Sequence, residues 1–330
     1  MPGCYLITGA TGFIGSHIAQ ACIQRGIAVS TIARPSSDAS LLESIGATVY
    51  RGDLADRAVV DNALDGVKVV VHCAAKVGDW GPVAEYRSTN VEALRGLLEA
   101  CRHKKLTRFV HMSSLGVYAA RHHYGTDESV PPPANHMDGY TQSKVEAEEL
   151  ALRFCRDFDV PVVVLRPGFI YGPRDRTVLP KLIESLRRGE VRYIGRGKKA
   201  LNTIYVGNLV DAVFLAIENE RAVGRIFNLT DGEFVSKKRF IDAVADGMGL
   251  PRPSRSVPLW VARVLAWGME RQARKNKASK PPPLTQARLK FLGLNLDYSI
   301  ENARKDLGYD PRFSFDQGIE DTLAWYRQNA

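Results

Sequence analysis

A tyrosine and a lysine four residues apart, with a serine upstream, form a set that can move a proton to or from an oxygen atom. This chain carries such a set in Ser114, Tyr140 and Lys144. Tyr140 and Lys144 lie in Gly139-Tyr140-Thr141-Gln142-Ser143-Lys144, which opens an expected helix running to about Phe158. A spacing of four puts both side chains on one helix face. A free tyrosine titrates near pH ~10, so working as a base near neutrality requires a shift worth ~4 kcal/mol. Cationic neighbours favour the phenolate, and Lys144 is one such neighbour. Singly, the three residues read as a capping serine, a surface tyrosine and a solvated lysine. Their combination has meaning only if the fold brings them to a ligand.

The elements that must do so are legible from the N-terminus. Tyr5-Leu6-Ile7 is a short apolar run, expected as a buried first strand. Gly9, Gly12 and Gly15 follow at three-residue intervals, and a helical pattern (Ile14, Ile18, Ala21, Cys22) begins at once. A strand feeding a helix through glycines aims backbone N–H groups at one spot, which suits a pyrophosphate. Gly9 would permit the tight turn, Gly12 the approach of phosphate and Gly15 close helix–strand packing. Thr11, Phe13 and Ile14 complete this loop. Further strands are expected at Ala28–Ala33, Ala47–Tyr50, Val67–Val71, Arg108–Met112 and Pro161–Leu165, with a long helix over Val83–Arg102. This alternation predicts an α/β fold with a Rossmann-type, doubly wound parallel sheet, whose ligands sit at the carboxyl ends of the strands. A nicotinamide dinucleotide there would bring a second cation beside Tyr140. Tyr140 would then give its proton to a carbonyl oxygen, or take one from an alcohol, as hydride moves. Ser114 would hydrogen-bond that oxygen, and Lys144 would also hold the nicotinamide ribose.

The ends of the other strands refine the cofactor. No acid stands at the end of the second strand, where one would bind the adenosine ribose of NAD. Arg34 stands there instead, which favours the 2′-phosphate of NADP, with NAD also accepted; its plainer reading is a solvated loop residue. Asp53, followed by Leu54, either meets the adenine edge or caps the helix starting near Asp56. Ala74 and Ala75, after the fourth strand, are small enough for a loop to pass close to a ligand. The clean alternation weakens near Phe169. The dinucleotide-binding domain is therefore expected over 1–168 plus about 202–232, and a smaller, mixed α/β C-terminal substrate lobe over about 169–201 plus 233–330. A block at Lys275–Pro283 reads as disordered.

The 330 residues, 45% of them hydrophobic, suffice for a sizeable core. No run approaches the ~20 apolar residues of a membrane span, and no secretory signal is expected. Cys4, Cys22, Cys73, Cys101 and Cys155 are scattered without paired spacing, so reduced thiols in a cytoplasm are expected and no metal site. The net charge of +9 is concentrated: Arg252 to Lys290 holds ten Lys/Arg against Glu270 alone, a surplus of nine. A local basic patch is a better reading than a nucleic-acid-binding surface, and no nucleic-acid partner is expected.

These motifs together make the chain resemble an extended short-chain dehydrogenase/reductase over nearly its whole length. Gly9 to Gly15 resembles the family's glycine motif, Asp53 its adenine contact, and Tyr140 with Lys144 its Tyr-x-x-x-Lys pair. Ser114 aligns with its catalytic serine. The resemblance implies that Asn90 supports a water and proton relay to the lysine, and that Arg166-Pro167-Gly168 touches nicotinamide. It also implies a homodimer through helices near 83–102 and 140–158. Gly172-Pro173-Arg174-Asp175, Pro258-Leu259-Trp260-Val261-Ala262 and Ala303-Arg304-Lys305-Asp306-Leu307-Gly308-Tyr309 resemble the branch of 3β-hydroxysteroid and sterol-4-carboxylate 3-dehydrogenases and of 2-alkyl-3-ketoacid reductases.

The expectation is an NADP(H)-dependent oxidoreductase interconverting a secondary alcohol and a ketone on a small apolar substrate, of steroid or 3-keto/3-hydroxyacyl type. Two alternatives share the motifs: a nucleotide-sugar epimerase or dehydratase, and a non-catalytic NADP-sensing or RNA-associated protein of the same fold. One segment stands apart. In Val257–Lys280, Arg263, Glu270 and Arg274 form a narrow polar edge on an otherwise apolar helix with Trp260 and Trp267, followed by basic residues. It either rests on a membrane surface or packs over the substrate pocket under cover of protein.

Overall fold

The computed structural model of the chain describes residues 3–278 and 280–329; Ser279, inside the basic segment, lies outside them. The apolar runs become a seven-stranded parallel sheet. Its strands are β1 (Cys4–Thr8), β2 (Val29–Ala33), β3 (Thr48–Arg51), β4 (Val67–His72), β5 (Arg108–Met112), β6 (Val162–Pro167) and β7 (Ile226–Leu229). They lie in the order β7-β6-β5-β4-β1-β2-β3. All six pairings are parallel. Strands buried on both faces need no alternation, which is why β2, β5 and β6 are buried throughout. The order reverses between β1 and β4, so the ligand crevice of such a sheet opens there.

Helix α1 (Phe13–Gln24) covers one face of the sheet, and α2 (Gly139–Phe158) lies on the other. The smaller lobe adds α3 (Leu259–Lys275) and α4 (Gln286–Gly293) with short two-stranded pairings. Strand β7 joins the main sheet beyond β6 after the helix Val206–Glu218.

Three expectations require correction. The helix over 83–102 is not continuous: Val83–Arg87 and Ala93–Cys101 flank a π turn, Ser88–Glu92, which contains Asn90. A π turn leaves the apolar spacing of its flanks almost unchanged, so composition hides it. The Pro- and His-rich stretch 122–136, whose composition reads as a loop, contains a strand, His123–Thr126, that pairs with Leu296–Tyr298. Its stability comes from distant aromatics, with the His123 and Tyr298 rings stacked at 4.7 Å. The block 275–283, read as disordered, is held at its described residues. Trp80 Nε1 donates to Ala278 O at 2.9 Å, and Arg288 donates to Pro282 O and Pro283 O.

Candidate active site

The turn after β1 is built by close backbone approach. Gly9 has φ +70, and a side chain there would place Cβ 2.7 Å from Ala74 N, at the end of β4. A Cβ on Gly15 would lie 2.5 Å from Gly9 O. Gly12, by contrast, is exposed and meets only Gly9 O. It is the N-cap of α1 and offers no side-chain acceptor, so the first N–H groups of the helix have no capping side chain. A cradle of uncapped N–H groups fits a diphosphate, and the residues present therefore fit a dinucleotide.

At the neighbouring strand end, Arg34 is exposed and makes no side-chain hydrogen bond or ion pair among the described residues. The adjacent Arg51 is already committed, to Ser37 O at 2.9 Å and Glu43 at 2.7 Å. The helix Arg57–Ala63 is capped by Asp56, whose carboxylate accepts from Ala58 and Val59 N–H. Asp53 instead accepts from Ala55 N–H at 2.9 Å within its own turn, so the capping alternative belongs to Asp56. Leu54 packs into the core beneath. On the other side of the crevice Pro167 ends β6, and Gly168 is required there: a Cβ would stand 1.9 Å from Asn202 O.

Ser114, Tyr140 and Lys144 converge at the end of β5. Asp138 starts α2 by accepting from Thr141 N–H at 2.8 Å, which sets Tyr140 in the first turn. Lys144, buried, donates Nζ–H to Met112 O at 2.7 Å. Met112 closes β5, two residues before Ser114, so the lysine ties the helix to the strand end that presents the serine. Ser114 Oγ accepts from Gly116 N–H at 3.0 Å, and the Tyr140 phenol is near enough for Ser114 to act on its proton affinity.

Burial dominates the electrostatics of this pair. Burial pushes the Tyr140 phenol up to about 12, the Asp138 carboxylate adds to this, and Ser114 opposes it. Burial lowers Lys144 to about 8, against the opposing influence of Cys73 and Glu148. The lysine points its proton at a backbone carbonyl and does not stabilise the phenolate in this state. Tyr140 therefore keeps its proton at neutral pH.

Asn90 sits in the same neighbourhood with a different task. Its amide accepts from Lys76 N–H at 2.7 Å and donates to Lys76 O at 3.0 Å and Ser143 Oγ at 2.9 Å. All three contacts fix the loop after β4 against the turn carrying Tyr140. None reaches Lys144 directly; these contacts position the turn that carries Tyr140. Ala74 and Ala75 are held in the same loop, with Ala74 N–H on Thr8 Oγ1 at 3.3 Å.

The structure adds residues that the sequence did not single out. Glu148, one further helical step from Lys144, is 4% exposed and forms a two-pronged ion pair with buried Arg166. The same carboxylate accepts from Ser113 Oγ at 2.8 Å, and Arg166 donates to Tyr118 OH at 2.8 Å. The spacing Tyr140-Lys144-Glu148 was visible, but its partner lies on another strand. Lys290 of α4 donates to Gly116 O and Tyr118 O at 2.6 and 2.7 Å, bracing the turn after Ser114 from the smaller lobe.

Comparison with known proteins agrees with this architecture. The profile of the NAD dependent epimerase/dehydratase family matches residues 5–230. A 2-alkyl-3-oxoalkanoate reductase from Stenotrophomonas maltophilia is 31% identical over 95% of this chain and 96% of its own. A 3 beta-hydroxysteroid dehydrogenase/Delta 5-->4-isomerase from Mycobacterium tuberculosis is 30% identical, over 98% of this chain and 90% of its own. The crystal structure of gox2253 superposes with a TM-score of 0.84 at 28% identity, covering 99% of this chain and 98% of that one.

Proposed function

Because the chain belongs to the NAD dependent epimerase/dehydratase family, and its relatives make it an NAD(P)-dependent oxidoreductase, we propose that it uses NADP(H) to interconvert a secondary alcohol and a ketone on an apolar substrate. The substrate class is 3-keto/3-hydroxyacyl or sterol-like, as the names of the relatives suggest. The observation that carries the reading is the convergence of Ser114, Tyr140 and Lys144 at the carboxyl ends of the sheet, with Lys144 bonded to Met112 O. A proton donor next to a hydroxyl is what a ketone oxygen needs as it gains charge.

The nicotinamide cofactor, when bound, supplies or accepts the hydride. The chain's own residues do the rest. Ser114 Oγ orients the substrate oxygen, and Tyr140 donates its proton to it in the reductive direction. Lys144 keeps the Ser114 strand end and the Tyr140 helix in register through Met112 O. The uncapped α1 N-terminus would hold the diphosphate, and Arg34 the 2′-phosphate. Asp53 with Leu54 would line the adenine side, and Pro167-Gly168 the nicotinamide side. The protein would work in the cytoplasm as a homodimer.

The test is turnover by nicotinamide absorbance. NADPH and NADH are offered with 2-alkyl-3-ketoacids and 3-ketosteroids, NADP and NAD with 3β-hydroxysteroids, and UDP-sugars in parallel. Tyr140→Phe should lower ketone turnover by roughly 10²- to 10⁴-fold while cofactor affinity stays close to wild type. Unchanged turnover in the variant would remove Tyr140 from the reaction. Conversion of UDP-sugars alone would replace the apolar-substrate reading with the epimerase one.

A further inference from the structure

Helix α3 leaves an apolar face in solvent. Its inner side is two alanines, Ala262 and Ala266, packed on Leu289 of α4. Trp260, Val264 and Trp267 follow one another at helical spacing on the outer side, 71%, 61% and 59% exposed, with Leu265 and Met269 exposed beside them. The alternative in which protein covers this helix is therefore not what the fold shows. No helix among the described residues is long and apolar enough to cross a membrane.

The rim of this face has one sign of charge. Arg263, Arg271, Lys275, Lys277 and Lys280 have no acidic partner among the described residues, and the Arg271 guanidinium lies over the Trp267 ring at 5.4 Å. Glu270 is turned inward, accepting from Gln286 N–H at 2.7 Å, with Arg274 at 3.6 Å. Leu259, the first residue of α3, packs on the cluster of Leu115, Val117 and Tyr118, the turn that follows Ser114.

We infer that α3 seats this protein on an anionic bilayer, with Trp260, Val264 and Trp267 in the interfacial layer and the basic rim on lipid phosphates. Indole rings suit that layer because one edge is polar and the body apolar. A second copy of the chain fits worse, since a two-fold contact through this face would bring two basic rims together without acids to neutralise them. Through Leu259 the seat adjoins the turn that follows Ser114, so a bilayer there would lie beside the candidate active site and could deliver an apolar substrate to it. That delivery role rests on the alcohol–ketone reading; the seat itself does not.

The test uses the full chain and vesicles of phosphatidylcholine with or without phosphatidylglycerol, read by flotation and tryptophan emission, with no substrate present. The expected result is flotation with the anionic vesicles, a blue shift of emission and release by salt. Trp260→Ser with Trp267→Ser should lose the blue shift and most of the flotation. Arg271→Gln with Lys275→Gln should weaken flotation by about fivefold for each charge removed. Circular dichroism and turnover of a water-soluble ketone check that both variants remain folded. Wild-type protein that stays unbound at low salt overturns the inference. So does flotation unchanged in both variants, or a dimer that the tryptophan variant dissociates while vesicles bind neither form. Vesicle binding without any ketone turnover would sink the proposed reaction and leave the seat standing.

Discussion

Lys144 carries a charge that the fold disfavours, and Lys144→Met measures by how much. The lysine is 5% exposed, and burial lowers it from 10.5 to about 8. That displacement corresponds to ~3 kcal/mol of penalty for keeping the ammonium buried. The sign follows from proton counts. Between the folded value and the unfolded one, the unfolded chain holds the proton and the native chain has lost it, so stability rises with pH through this window. Below the folded value the full penalty is present; above the unfolded value it is absent. Methionine keeps the unbranched stem and removes the charge, at the cost of the hydrogen bond to Met112 O, worth ~1 kcal/mol. Lys144→Met should therefore be more stable than wild type by ~2 kcal/mol near pH ~7 and lose that advantage by pH ~10. The assay is urea unfolding of both proteins at each pH, read as a difference. Subtraction cancels Lys237 and Lys290, which are also lowered by burial and titrate in the same window. Ketone turnover should fall sharply in the same variant. A variant less stable than wild type near neutrality, or a difference that ignores pH, would show that the ammonium is not a net burden.

Two further substitutions test neighbouring parts of the reasoning. Arg34→Ala removes an exposed, unengaged guanidinium, so the KM for NADPH should rise by roughly ten- to a hundredfold, the loss of one charge-assisted contact of ~1.5–3 kcal/mol, while that for NADH barely moves; equal weakening would remove the 2′-phosphate role. Glu148→Gln leaves Arg166 buried without a counter-charge and should destabilise the fold by ~3–5 kcal/mol in urea melts. Replacing both partners with methionine should recover most of that loss. Glu148→Gln should also move the alkaline limb of the pH–rate profile to lower pH, because the carboxylate helps keep Lys144 charged; a purely structural role would leave that limb in place.

The legible part of the fold was the part written in local pattern. Strand β6 could be read from the unbroken run Val162-Val163-Val164-Leu165, β2 and β5 from short apolar and β-branched stretches between turn residues, and Tyr140 with Lys144 because helical spacing alone aligns them. What stayed hidden depends on partners remote in sequence. Strand His123–Thr126 exists through residues more than 170 positions later. Lys290 braces the turn after Ser114 from α4, and nothing near it in the chain predicts that. Two aspartates three residues apart could each cap the helix, and only the fold shows that Asp56 does so while Asp53 closes its own turn.

Tyr140 separates what the chain does from what the cofactor must add. Residue types pointed to Lys144 and an oxidised nicotinamide together lowering the phenol; the chain's own groups tie Lys144 to Met112 O and raise the phenol by burial. A phenol that stays protonated well above neutral pH is poorly prepared to take a proton from an alcohol. The proton is in place to be given to a carbonyl oxygen, whose basicity rises as negative charge develops on it while hydride arrives. Oxidation requires an additional positive charge near Tyr140, which an oxidised nicotinamide would bring and a reduced one would not. The pH dependence of the two directions should accordingly differ. Reduction should stay flat from neutral pH up to the onset of Lys144 deprotonation near 8, whereas oxidation should climb with pH across that range as the phenol becomes easier to ionise. Parallel initial-rate profiles in both directions would decide it, and identical profiles would mean that Tyr140 does not set the protonation state of the reaction.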